Sequence, residues 1–191
     1  TKRELDEFAL FKSDRITCEA SPHHLFLTEI ELSKQGNFAK MNPPLRLKKD
    51  CNALMEGIRN GMVNMVATDH APHLKSEKEK GYWDAPAGVP GLETSLPLML
   101  DAVNHGQLTL EDVVRVMCAE PANVFGLTDK GRLEVGADAD FVVVDMDLEK
   151  TIENNGPGAK YTKCGWSVFD GRTVKGWPIM TMLGGKEIWK V

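Results

Sequence analysis

The sequence predicts an α/β fold with a parallel sheet, followed by a small all-β module. Three observations carry this reading. Two short runs, Arg15 to Glu19 and Met62 to Ala67, each lead straight into residues that do chemistry. Between them lie a loop and an amphipathic helix, and strand–loop–helix–strand is the grammar of a parallel βαβ unit. Past Thr128 the helical periodicity stops, and short alternating runs with glycine turns take over.

The chain is organised around Val66-Ala67-Thr68-Asp69-His70-Ala71-Pro72-His73. The apolar run before Asp69 reads as a buried strand of a parallel sheet. Catalytic groups of α/β barrels sit where such strands emerge at their C-terminal ends. Asp69 then stands at the rim, with His70 and His73 on the loop beyond. Taken alone, the octapeptide serves equally well as an Asx turn with two solvated histidines. The earlier run breaks that tie, because Arg15 to Glu19 leads into Ala20-Ser21-Pro22-His23-His24. Two strands ending in such residues, one after the other, point to one site.

In chain order, residues 4 to 12 place Leu5, Phe8 and Phe11 among charges, as at the end of an amphipathic helix. Arg15 to Glu19 is β-rich. Asn42-Pro43-Pro44-Leu45-Arg46 is kept out of helix by its prolines. Lys48 to Asn60 reads as a helix with Cys51, Leu54, Met55 and Ile58 on one face and Gly61 closing it. Lys75 to Lys80 is a charged run read as a mobile loop, and Gly81 to Gly91 is a lid-like, Gly/Pro-rich segment. Leu92 to Asn104 is a largely buried helix. Thr109 and Asp112 form a capping-box pattern before a helix whose core face is Leu110, Val113, Val114 and Met117. Pro121 opens a further short helix that stops at Gly126. Gly131 to Gly136 alternates as a strand does, Ala139 to Val144 reads as a buried strand, and Val174 to Val191 as paired strands around Gly184-Gly185. A domain boundary near Asp129 separates residues 1–128 from the β module, 129–191.

Composition narrows the function. Lys plus Arg is 23 and Asp plus Glu is 28, a net charge of −5. Without a basic run, nucleic acid and anionic membrane are not expected partners. No apolar segment reaches membrane-spanning length, and no signal peptide is read. Cys18, Cys51, Cys118 and Cys164 are scattered without CxxC spacing, which suits a reduced, cytoplasmic setting. Thr1 in place of an initiator Met is expected of a chain that begins inside a longer one.

Four blocks together resemble a known family. They are Thr17-Cys18-Glu19-Ala20-Ser21-Pro22-His23-His24-Leu25, Asn42-Pro43-Pro44-Leu45-Arg46, Thr68-Asp69-His70-Ala71-Pro72-His73 and Gly88-Val89-Pro90-Gly91-Leu92-Glu93-Thr94. Their order and spacing are similar to those of dihydroorotases, cyclic amidohydrolases of the amidohydrolase superfamily. Gly131 to Asp140 resembles that superfamily's β-sandwich. The resemblance implies the C-terminal part of a (β/α)8 TIM-type metallo-hydrolase barrel, with its last three strands, followed by a small β-sandwich module. It also implies zinc-dependent, reversible hydrolysis of the cyclic amide of dihydroorotate to N-carbamoyl-aspartate, in pyrimidine biosynthesis.

Roles follow from the same resemblance. His23 and Asp69 match metal ligands for a site of two Zn²⁺ ions, and Asp69 also matches the catalytic base. Asn42 and His73 match groups that hold the substrate's carboxylate and ring, while Ala87 and Gly88 match backbone contacts to the ring amide. His24 and His70 are read as supporting or packing histidines. The family's His-x-His pair, its arginine, its bridging ligand and a further zinc histidine have no counterpart in this sequence. The partner implied is therefore the N-terminal half of the barrel, or a homo-oligomer, beside the small-molecule substrate. Other cyclic amidohydrolases (allantoinase, hydantoinase or dihydropyrimidinase) stay open, as does a non-catalytic, dihydroorotase-like structural subunit.

Overall fold

A computed structural model describes residues 1–13 and 15–191. Helix α1 (Lys2–Phe8) opens the chain, its N-terminus closed by a Thr1/Glu4 capping box. Strands β1 (Glu19–Ala20) and β2 (Met65–Val66) pair in parallel, Glu19 against Met65 and Ala20 against Val66. Between them come α2 (Pro22–Phe26), α3 (Ile30–Gln35), a 3₁₀ turn over Gly36–Ala39 and α4 (Lys48–Arg59). The predicted βαβ order is therefore present.

Expectations about the strands need correction. The first strand is confined to Glu19–Ala20, because Ile16 is exposed and the Cys18 N–H is taken by the side chain of Asn64 at 3.1 Å. The parallel sheet has two strands among the described residues, where three were expected. Gly131 to Gly136 forms turns, with Leu133 and Val135 fully in solvent, so its alternation has no apolar layer to face.

Helix α4 presents Cys51, Leu54, Met55 and Ile58 to the core as predicted, the i, i+3, i+4, i+7 stripe of an amphipathic helix. Helix α5 (Lys75–Lys78) replaces the mobile loop expected over 75–80, and Lys78 in it is fully buried. Helix α6 (Leu92–Asn104) is largely buried, as its composition predicts. Helix α7 (Leu110–Val114) begins at the Thr109/Asp112 capping box and runs without a break through a π-turn over Arg115–Ala119 into α8 (Glu120–Val124). The Glu120 N–H bonds to the Arg115 carbonyl, five residues back. Pro121 next to it has no N–H to continue the α-helical ladder. Val113 of the expected face is buried and is joined by Val116, with Met117 packed against the same cluster, while Leu110 and Val114, expected inside, are exposed.

The C-terminal part is an antiparallel sheet of order β3–β4–β5: Phe141–Thr151, Thr173–Leu183 and Lys186–Lys190. Gly184 and Gly185, both at positive φ, close the β4–β5 hairpin where the sequence placed it. Val142 and Val143 of β3 are exposed, so this strand is not buried as expected.

Two apolar clusters hold these parts. One lies around the parallel pair, with Leu25, Leu54, Ile58, Val63, Met99 and Val116. The other takes Leu27, Met41 and Leu98 from the helical part and Ile152, Trp166 and Trp177 from the C-terminal part. Asp101 of α6 ties the same junction by accepting from the Lys175 N–H at 2.9 Å.

Candidate active site

Ala20 and Val66 are register partners, and three residues past each stand His23 and Asp69. The parallel pairing thus delivers both to the same end of the sheet. Their environments differ. Asp69 sits in the left-handed region at φ 47°, with its side chain exposed, a conformation that Asp tolerates better than most residues. His23 lies in the first turn of α2 at 2% exposure, and its Nε2 has no hydrogen-bond partner among the described residues. Burial, with His24 adding to it, pulls His23 down to about 3, so the ring is neutral.

A cavity of about 540 Å³ opens at this end, and Ser21, His24, Pro43, Pro44, Arg46 and Asp69 are among its walls. His24 shares the cavity with Asp69; His23 is not on the lining. Burial lowers the His24 pKa, while the nearby Asp69 charge pulls it the other way. His24 donates from Nε2 to the Pro43 carbonyl at 2.9 Å, fixing the loop that begins at Asn42. Asn42 itself is exposed, next to that anchor.

The remaining expected residues form a second group. His73 donates from Nε2 to the Ala87 carbonyl at 3.1 Å, and the Trp166 indole donates to the His73 carbonyl at 2.8 Å. Gly88 sits at φ 124°, where a Cβ would come within 2.5 Å of the Ala71 methyl, so only glycine fits. Its N–H bonds to the Lys40 carbonyl at 2.9 Å. His70 accepts at Nδ1 from the Gly91 and Leu92 amides at 3.0 and 3.3 Å, so it caps α6. That cap fixes its neutral tautomer with the proton on Nε2.

Sequence reading took His24 and His70 as supporting or packing residues without naming their partners, and gave no part to Lys78 or Trp166. The paired histidines were visible as a motif, but which ring faces the cavity depends on the turn of α2. Nothing in Lys75-Ser76-Glu77-Lys78-Glu79-Lys80 marks one lysine as buried.

A catalytic zinc takes three protein ligands and keeps a place for water. No group of three or more His, Cys, Asp or Glu side chains that could hold a metal ion exists among the described residues. The donors of this chain therefore do not make a metal site by themselves. What the cavity offers is an exposed carboxylate beside a half-buried imidazole, on a rim set by two parallel strands.

Comparison with known proteins gives the context. Residues 8–188 match the model of the amidohydrolase family. The chain is 47% identical over 173 residues to a dihydroorotase of Halobacterium salinarum, covering 91% of this chain and 40% of that protein. It is 44% identical over 177 residues to a dihydroorotase of Anoxybacillus flavithermus, again covering 40% of the relative. Among solved structures, the L-hydantoinase (dihydropyrimidinase) of Arthrobacter aurescens superposes with a TM-score of 0.91 at 34% identity, over 99% of this chain and 43% of that one. A D-hydantoinase gives 0.89, also at 34% identity, over 97% and 42%. The chain thus spans about two fifths of the length of the curated relatives it matches.

Proposed function

The chain belongs to the amidohydrolase family, and from that premise we propose that it is the C-terminal part of a dihydroorotase. In this reading, residues 1–128 close a (β/α)8 barrel whose other strands lie outside the chain, and 129–191 belong to its β-sandwich. The observation that carries the reading is the exposed carboxylate of Asp69 at the end of a parallel strand, in one cavity with His24 and the loop after Asn42. Identity of 47% to a dihydroorotase supports the substrate.

Asp69 takes the proton from the attacking water as oxygen bonds to the ring carbonyl carbon, and passes it to the leaving ring nitrogen as the C–N bond breaks. The reverse reaction returns that proton with the water released on cyclisation. Asn42 and His73 hold the substrate's carboxylate and ring. With Nε2 donating to the Ala87 carbonyl, the Nδ1 edge of the His73 ring is the one left to meet the substrate. Ala87 and Gly88 face the ring amide through their backbone.

Zinc belongs to the proposal as a metal that Asp69 would hold together with donors from outside this chain, to which His23 would offer the unpaired Nε2 of its buried ring. No helix among the described residues is long and apolar enough to cross a membrane, and all four cysteines are free; both are compatible with the cytoplasmic setting proposed.

The likeness to L-hydantoinase favours a second reading, in which the substrate is a cyclic amide without a carboxylate. The deciding experiment is a turnover assay of the full-length protein carrying this chain, with dihydroorotate and hydantoin side by side. Hydrolysis of dihydroorotate to N-carbamoyl-aspartate is expected. Turnover of hydantoin with none of dihydroorotate overturns the first reading in favour of the second.

A further inference from the structure

We propose that Lys78 is a positioning residue, whose buried ammonium sets the backbone of Ala87 and Gly88 for the cyclic-amide substrate. This rests on the proposed function for its substrate, though not for its geometry. Lys78 ends the four-residue helix α5 and is 0% exposed. Its Nζ donates to the carbonyls of Gly88 at 2.8 Å, Pro86 at 2.9 Å and Lys40 at 3.1 Å. An ammonium has three N–H donors, and in Lys78 all three are used. No carboxylate is among these partners, and the nearest aromatic help is the Trp166 ring, 5.8 Å from Nζ.

A buried charge with no opposite charge is a costly way to fill space. A methionine would fill the same volume without that cost, so the three carbonyl bonds are the feature that calls for lysine. Their effect follows from the planar trans peptide, in which C=O and the next N–H point in opposite directions. The Pro86 carbonyl is drawn to Nζ, so the Ala87 N–H is turned away from it. The next peptide is fixed at both ends, since the Ala87 carbonyl accepts from His73 and the Gly88 N–H bonds to Lys40. The Gly88 carbonyl is already occupied by Lys78. The Ala87 N–H has no partner among the described residues. Of the two backbone donors of this pair, it is the one left for a ligand, and it is suited to a ring carbonyl oxygen.

Lys40 reinforces the arrangement from the other side. Its carbonyl receives both Lys78 and Gly88, while its own ammonium bonds to the carbonyls of Tyr82 and Ala85. Two lysines thus hold the segment from Tyr82 to Gly88 by its carbonyls.

The test uses the full-length protein carrying this chain, with Lys78→Met, which keeps the length of the side chain and removes its donors. For whichever cyclic amide the protein turns over, KM is expected to rise at least tenfold while kcat changes less than threefold. Hydrogen exchange at the Gly88 amide is expected to speed up at least tenfold. A folded Lys78→Met protein with unchanged KM and unchanged exchange overturns the proposal, and so does a loss confined to kcat. Two measurements on the unsubstituted protein stand even where the variant does not fold. Reductive methylation read by mass spectrometry should spare Lys78 while modifying Lys75 and Lys80, and the Gly88 amide should exchange far more slowly than that of Trp83. Equal labelling of the three lysines, or equal exchange at the two amides, overturns it. A protein that hydrolyses hydantoin but not dihydroorotate fails the proposed function and leaves all these readouts in force.

Discussion

His70 accepts a hydrogen bond at Nδ1 from the backbone N–H of Gly91, 3.0 Å away. That bond joins the residue beside Asp69 to the start of helix α6. Leu98, Met99 and Leu100 of α6 are among the most deeply buried side chains of the protein. The carboxylate at the rim is exposed, yet its backbone is tied to a rigid element, which is what the proposed role in proton transfer requires.

Asp69→Asn in the full-length protein is expected to lower turnover in both directions by about a hundred- to ten-thousandfold, the range for a positioned acid–base group. The fold should be untouched, because the side chain is exposed and the amide keeps its shape. Steady-state rates with circular dichroism check this. A variant retaining more than about a tenth of the activity would falsify the role of base.

His73→Ala should raise KM for dihydroorotate more than for an uncharged cyclic amide, with bound metal unchanged. The substitution removes the side-chain bond to the Ala87 carbonyl. Metal analysis separates the two roles, since loss of metal would make His73 a ligand.

Gly88→Ala should destabilise the protein by about 1–3 kcal/mol, the usual range for overpacking. A Cβ there meets the Ala71 methyl at 2.5 Å with φ at 124°, so the backbone has to shift. Denaturant unfolding reports the stability, and substrate affinity should fall with it. An unchanged midpoint would mean that the segment yields freely.

Acid should destabilise the protein through His23. Its pKa is held at about 3 in the folded state by burial, and by His24 beside it, against an ordinary 6.5. The unfolded chain therefore binds the extra proton first, and stability falls as pH drops. The contribution is full above pH 6.5 and is lost progressively down to about pH 3, at up to about 1.4 kcal/mol per pH unit. Urea midpoints across that window check it, and His23→Phe should flatten the slope.

The 191-residue chain on its own is expected to show no hydrolysis of dihydroorotate and to self-associate. Among the described residues it has no three-donor metal group, and β1 is paired on one side only. Leu10 and Phe11 add exposed apolar surface. Sedimentation and an assay of the purified chain test both; a sharp monomer with turnover would reverse them.

The sequence by itself determined the elements whose signals are local. The apolar stripe of α4, the Thr109/Asp112 cap, the buried run of α6 and the Gly184-Gly185 hairpin each depend on a few neighbouring residues, and each stands where it was expected. The placing of Asp69 and of the histidine pair at strand ends was legible for the same reason. Tertiary structure decided the rest. Whether His23 or His24 faces the cavity is set by how α2 turns after Pro22 and packs against α4, with the α4 residue Leu54 in its cluster. Whether Val114 or Val116 goes inside is set by which side of the helix packs against Ile58, Val63 and Met99. Whether Lys78 is a solvated charge or the centre of a cage is set by carbonyls from Lys40, Pro86 and Gly88, at 38, 8 and 10 residues' remove. A charge run carries no trace of acceptors that the chain brings to it only by folding.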